Sequence, residues 1–114
     1  MAHARIQRGN DALSTIDIVG RGEFTLVTGI DDAHWREAVE ALNRELGTSI
    51  RVVQVAARGE YDDVYGDWAR IRGVEDSGAL LVRPDRVVAW REPGRPADAA
   101  EALRGVLDTV LARG

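Results

Sequence analysis

Thirteen consecutive residues restrict the fold more than any other segment. Ala79-Leu-Leu-Val-Arg83 and Arg86-Val-Val-Ala-Trp-Arg91 are two β-prone runs separated by Pro84-Asp85. Proline presets the first central position of a type I turn, and aspartate suits the second. The segment therefore reads as a β-hairpin, closed off by Pro93 and Pro96. Two antiparallel strands need further strands or helices to bury their apolar faces. The remaining 101 of the 114 residues (114 − 13) must supply them within one domain of ordinary size.

Helices are expected on both sides of that hairpin. Trp35, Ala38, Val39, Leu42 and Leu46 recur at helical spacing, with Gly47 placed to end the helix and Asp31 or Asp32 to cap its start. Ala99, Leu103, Val106, Leu107, Val110 and Leu111 mark a last amphipathic helix. Phe24–Ile30 is apolar enough for a strand buried on both faces, and Ile50–Ala56 reads as its neighbour. A strand, a helix and a strand in succession imply a right-handed parallel crossover. Ser14–Gly20 has strand character, with Ile16 and Ile18 on one face. Residues 1–13 read as a lead-in, with a short edge strand at Ala4–Gln7, and residues 14–114 as the single domain. Arg58–Gly73 reads as a loop with helical turns near Asp67–Ile71. The expected class is α/β: a mixed β-sheet with a C-terminal β-hairpin and helices on its faces, in thioredoxin-like order.

Composition excludes several chemistries. There is no cysteine, so dithiol exchange, a thiol nucleophile and cysteine metal sites are unavailable. The net charge of −4 gives no reason to expect nucleic acid or anionic lipid. No apolar run approaches the roughly 20 residues of a membrane span, and residues 1–13 lack a signal-peptide centre, so a cytoplasmic protein is expected. Gly20-Arg-Gly-Glu-Phe-Thr25 begins like a dinucleotide fingerprint, but Thr25 replaces the third glycine and a strand follows where a helix is required. No cofactor is expected on this chain.

The remaining polar candidates have plain structural readings. His34 beside Asp31 and Asp32 suggests a weak metal or acid–base site, but a helix cap explains the group better. Asp62-Asp63 and Glu75-Asp76 read as solvated loop charges. Tyr61, Tyr65, Trp68 and Trp90 are an aromatic set in a chain only 5% aromatic. Trp90 reads as core, while Tyr65 is either core or an interface anchor sharing a helical face with Trp68.

Several runs also carry a resemblance. Ser14-Thr-Ile-Asp-Ile-Val-Gly20 with Phe24-Thr-Leu-Val-Thr-Gly29, then Tyr65-Gly-Asp-Trp-Ala-Arg70, then Leu81-Val-Arg-Pro-Asp-Arg-Val-Val-Ala-Trp-Arg91 resemble segments of one domain. It is the C-terminal domain of phenol hydroxylase-like, FAD-dependent aromatic monooxygenases, nearest the 2,4-dichlorophenol 6-monooxygenase branch. The resemblance spans about residues 3–112. It implies a thioredoxin-like fold that packs on the FAD and substrate domains of a parent enzyme using FAD and NAD(P)H on phenolic rings. It implies no catalytic residue here. Gly29–Trp35 stands where thioredoxin has its Cys-x-x-Cys, and Asp76-Ser77-Gly78 where thioredoxin has a proline. Tyr65, Asp67, Trp68, Arg83, Pro84, Asp85, Trp90 and Arg91 are the packing or interface candidates. The expected role is non-catalytic packing, with a homodimer contact as a further part of it. The alternative is a free-standing homodimer or small-ligand carrier. A non-thiol enzyme built on Asp31, Asp32 and His34 ranks last.

Overall fold

The computed structural model describes residues 1, 3–19, 22–63 and 66–110. In chain order the strands and helices are β1 (Arg5–Arg8), β2 (Asp11–Ser14), β3 (Thr25–Thr28), α1 (Ala33–Leu46), β4 (Arg51–Ala56), β5 (Tyr61–Asp62), α2 (Asp67–Ile71), β6 (Ala79–Val82), β7 (Val88–Glu92) and α3 (Ala99–Val110). One sheet contains all seven strands in the order β2-β1-β5-β4-β3-β6-β7. β4 runs parallel to both β3 and β5, and the other pairs are antiparallel. The class is α/β with a mixed sheet, and β3-α1-β4-α2-β6-β7-α3 is the succession on which the thioredoxin-like reading rests.

Period-two alternation splits the core into two clusters. Val27, Val53, Val55, Leu80 and Val82 meet Ile6, Ile18, Val19, Tyr61 and Trp68 on one face. Leu26, Ala79 and Leu81 meet Trp35, Val39 and Leu42 of α1, and Leu103 and Leu107 of α3, on the other. β3 and β6 are buried at every position because helices or turns cover both faces there. α1 ends as its sequence demands: Gly47 has φ of 69°, and its N–H donates to the Asn43 carbonyl at 3.0 Å.

Several segments differ from expectation. Ser14–Gly20 is not a strand, for Thr15–Ile18 forms a 3-10 turn. The Ser14 hydroxyl accepts the Ile16 N–H, and the Asp17 carboxylate accepts the Ser14 N–H at 2.9 Å. This reciprocal cap outweighs the isoleucine alternation. Residues 1–13 are more than a lead-in, since β1 and β2 join the sheet and Ala4 and Ile6 are core. The predicted edge strand lies inside the sheet, between β2 and β5, and β5 itself appears within the presumed loop. Neither aspartate side chain caps α1. Asp32 holds the N-cap position, but its carboxylate bonds elsewhere, and its backbone carbonyl accepts the Trp35 and Arg36 N–H groups. The hairpin is present with a longer tip. The Arg86 N–H donates to the Arg83 carbonyl at 2.9 Å, as a turn centred on Pro84-Asp85 requires. Arg86 then adopts φ of 69°, so β7 begins at Val88 rather than Arg86. Gly20, Arg21, Tyr65 and Leu111 lie outside the described residues. No helix of the described residues is long and apolar enough to cross a membrane.

A surface fork ties α3 to α1: Arg104 donates from both terminal nitrogens to the two Glu45 oxygens, each at 2.7 Å. These hydrogen bonds hold the Glu45 carboxyl below its ordinary range. A folded value below the unfolded one adds stability that is complete above the ordinary glutamate range. That stability is lost as pH falls through the lower, folded value. Melting temperatures of Glu45→Gln and the parent are therefore expected to differ at neutral pH and converge in acid. A gap that stays constant with pH would contradict the linkage.

Candidate functional site

From β3 the chain crosses through α1 to β4 on one side, then returns through α2 to β6 on the other. The carboxyl end of β3 is therefore a topological switch point, where open α/β sheets place ligands. Asp32 lies there, only 7% exposed. The Thr28 hydroxyl donates to Asp32 Oδ2 at 2.7 Å, Arg36 Nε to the same oxygen at 2.9 Å, and Gln54 Nε2 to Oδ1 at 3.3 Å. Gln54 is locked in turn. Its N–H donates to Glu60 Oε1 at 3.1 Å, and its Oε1 accepts the Glu60 N–H at 3.0 Å. Each oxygen of the buried carboxylate is thus occupied by the protein's own donors, an arrangement that ties the strand ends together.

His34 and Trp35 complete this edge. Trp35 Nε1 donates to the Ser77 carbonyl at 2.8 Å, and His34 Nε2 lies 3.0 Å from the same oxygen. A carbonyl only accepts, so His34 Nε2 carries the proton. The histidine is thus half-buried and tied to the strand lead-in. Among the described residues no three metal-ligating side chains converge, so Asp31, Asp32 and His34 form no metal centre. Beside them a cleft of about 220 Å³ is lined by Ile30, Ala56, Asp63, Ala69, Arg72 and Asp76. Ligand pockets run to roughly 300–1,000 Å³, so this one is too small for a nucleotide or a flavin.

Asp63, expected from sequence to be a solvated loop charge, is a buried structural group instead. It is buried, and its carboxylate accepts the Trp68 N–H at 3.0 Å and the Ala69 N–H at 2.9 Å. It is the anion at the start of the five-residue α2. Asp63→Ala is expected to cost about 2 kcal/mol, the upper end for a lost cap. Faster amide exchange at Trp68 and Ala69 would confirm it, and unchanged exchange would refute it.

The eight candidates from sequence do not form one site. Trp68 is 2% exposed and plugs the first cluster, while Asp67 beside it pairs with Arg70. Trp90 lies on the opposite face, half-buried, with its ring 5.8 Å from that of Trp35 at 77°. Arg91 is exposed, and its guanidinium lies over Gly73. Arg83, Pro84 and Asp85 share the hairpin tip, where Arg83 Nη2 donates to Asp85 Oδ2 at 2.7 Å. They line a shallow depression with Phe24 and Val110. Tyr65 falls outside the described residues, so no contact with Trp68 is assigned. The set is thus divided among core packing by the two tryptophans, the exposed hairpin tip, and two separate charged side chains, Asp67 and Arg91.

A family model described as aromatic-ring hydroxylase, C-terminal, matches residues 1–114. The chain belongs to this family. This aromatic-ring hydroxylase C-terminal domain is 43% identical to 2,4-dichlorophenol 6-monooxygenase of Cupriavidus pinatubonensis, a match covering 99% of the chain and 19% of the relative. It is 41% identical to aklavinone 12-hydroxylase RdmE of Streptomyces purpurascens, over 97% of the chain and 20% of the relative. Among solved structures it is similar to the flavin-dependent monooxygenase PieE in complex with FAD and substrate. There the TM-score is 0.88 and the identity 40%, covering 100% of the chain and 19% of PieE. Aklavinone-11 hydroxylase with FAD and aklavinone gives a TM-score of 0.86 at 40% identity, over 97% of the chain and 20% of that protein. The domain thus spans about a fifth of the length of these relatives.

Proposed function

We propose that this chain is a non-catalytic accessory domain of a cytoplasmic, FAD- and NAD(P)H-dependent monooxygenase that hydroxylates phenolic rings. Its work is packing against the FAD and substrate domains of that enzyme and, through them or directly, against a second copy. The observation that carries the reading is the match over the whole chain to one fifth of aromatic hydroxylases. The switch-point chemistry supports it, because Asp32, Gln54 and Glu60 bind one another and their own backbone. The residues present do not fit FAD. The glycine segment runs into β3, not into a helix whose free N–H groups would meet a pyrophosphate.

Two measurements test this. The purified chain mixed with FAD is expected to leave flavin fluorescence unchanged and to oxidise no NAD(P)H in the presence of a phenol. In a complete hydroxylase carrying this domain, its deletion is expected to destabilise the enzyme while the remaining body keeps the ability to bind FAD. Stoichiometric flavin binding or turnover by the 114-residue chain would overturn the proposal.

A further inference from the structure

The outer face of the β1–β2 hairpin carries a cleft that takes no part in the core or the switch point. Period-two alternation sends Ala4 and Ile6 into the first core cluster and leaves His3, Arg5 and Gln7 on the outside. The strand register sets Ser14 opposite Arg5 and Ala12 opposite Gln7. Directly opposed residues of an antiparallel pair share a face. Two long side chains therefore stand across from two short ones, which leaves a hollow between them. Gln7 does not fill it, because its Nε2 donates to the Gly9 carbonyl at 3.0 Å, back toward the turn between the strands. The resulting cleft measures about 380 Å³, and ligand pockets run from roughly 300 to 1,000 Å³.

The polar groups around it are not equally engaged. His3 Nδ1 and the Ser14 hydroxyl share a hydrogen bond, and the same hydroxyl accepts the Ile16 N–H. The Asp17 carboxylate, which also lines the cleft, accepts the Ser14 N–H at 2.9 Å. Arg5 is different: among the described residues its guanidinium has no hydrogen-bond or ion-pair partner. The arginines of two other clefts are each held by an aspartate, Arg83 by Asp85 and Arg72 by Asp76, both at 2.7 Å. A planar fork of donors without an acceptor matches the two oxygens of a carboxylate. Asp17 limits the charge that can enter, because its own negative charge opposes a second one on the ligand. A compact dianion such as phosphate is thereby disfavoured against a monoanion whose apolar body can lie over Ala12.

We infer that this cleft binds a small organic carboxylate. Arg5 takes the two carboxylate oxygens, the ligand's apolar body covers Ala12, and the His3–Ser14 pair closes one side. The site goes beyond the packing role and needs no partner domain to complete it.

The test uses the 114-residue chain with sodium benzoate as the probe, read from backbone amide NMR shifts. Benzoate at millimolar concentration is expected to move the amides of Arg5–Gln7 and Ala12–Asp17 along one saturating curve, while those of the β6–β7 tip stay still. Arg5→Gln should weaken binding at least about tenfold, the effect of losing a charge-assisted contact. Ala12→Leu should abolish binding by filling the hollow, and because Ala12 is exposed the amide spectrum outside the hairpin should not change. Arg95→Gln, which removes another exposed arginine, should bind as the parent does. Absence of a saturable shift at the hairpin, or equal binding by Arg5→Gln and the parent, overturns the site. Inorganic phosphate binding as tightly as benzoate overturns the carboxylate assignment, since the cleft would then respond to charge alone.

Discussion

Trp35→Ala is expected to remove about 4 kcal/mol of folding stability, within the range for deleting a buried tryptophan. Trp35 is 0% exposed and lies where α1, β6 and the second core cluster meet. Three losses combine. The indole leaves a cavity between α1 and the sheet, its edge-on contact with Trp90 at 5.8 Å disappears, and the Ser77 carbonyl loses its 2.8 Å donor. Domains of this size hold roughly 5–15 kcal/mol in total, so the variant would sit near the threshold of folding. The melting temperature should fall by roughly 20 °C, at about 5 °C per kcal/mol. Trp35→Phe keeps most of the ring and loses only the donor. Because His34 Nε2 still meets the Ser77 oxygen, its cost should be near 1 kcal/mol. Trp90→Ala, at a half-buried position, should cost less than Trp35→Ala. A double-mutant cycle over the pair should return a coupling of about 1 kcal/mol. A Trp35→Ala protein melting within a few degrees of the parent would mean that the second cluster is organised without it.

What could be read from sequence followed how local the cause was. α1 was legible because its stripe and Gly47 lie within one segment and are decided by that segment alone. The Pro84-Asp85 turn was legible for the same reason. The left-handed Arg86 was not, since no residue type there announces it, and with it the exposure of Val87 was hidden. Ser14–Gly20 reads as a strand on its isoleucine alternation alone, whereas the Ser14–Asp17 capping box decides the turn there. β1, β2 and β5 are short, and the first and last of these join through the single pairing of Gln7 with Asp62, which no local pattern encodes. The burial of Asp63 depends on backbone N–H groups of α2, a helix whose span at Asp67–Ile71 was read correctly, but the reach of a carboxylate from before it is not written in any local pattern. The Asp32–Gln54–Glu60 network unites three separate elements, so nothing short of the fold reveals it. The family resemblance supplied what locality could not, the family itself, while the residues that carry it mostly pack the core or shape one turn and so build no common site.

Gly78→Ala is expected to cost about 3 kcal/mol, at the upper end for forced overpacking. Gly78 closes the turn that begins at Glu75, its N–H donating to the Glu75 carbonyl at 3.0 Å, and it leads directly into β6. A methyl group there would stand 2.4 Å from the Glu92 oxygen and 2.6 Å from the Pro93 oxygen. Both are backbone atoms. They cannot swing aside as the end of a lysine would, and Pro93 is pinned further because its carbonyl accepts the Glu75 N–H at 2.6 Å. The end of β7 must therefore move, and the Ala79–Glu92 register moves with it. Gly105→Ala is the control. Gly105 is exposed within α3, and an added methyl would meet no atom within 4 Å, so that variant should gain roughly 0.5–1 kcal/mol from helix propensity alone. Opposite shifts in the urea midpoint of the two variants are the expected result, and an unchanged midpoint for Gly78→Ala would show that the strand end yields at little cost.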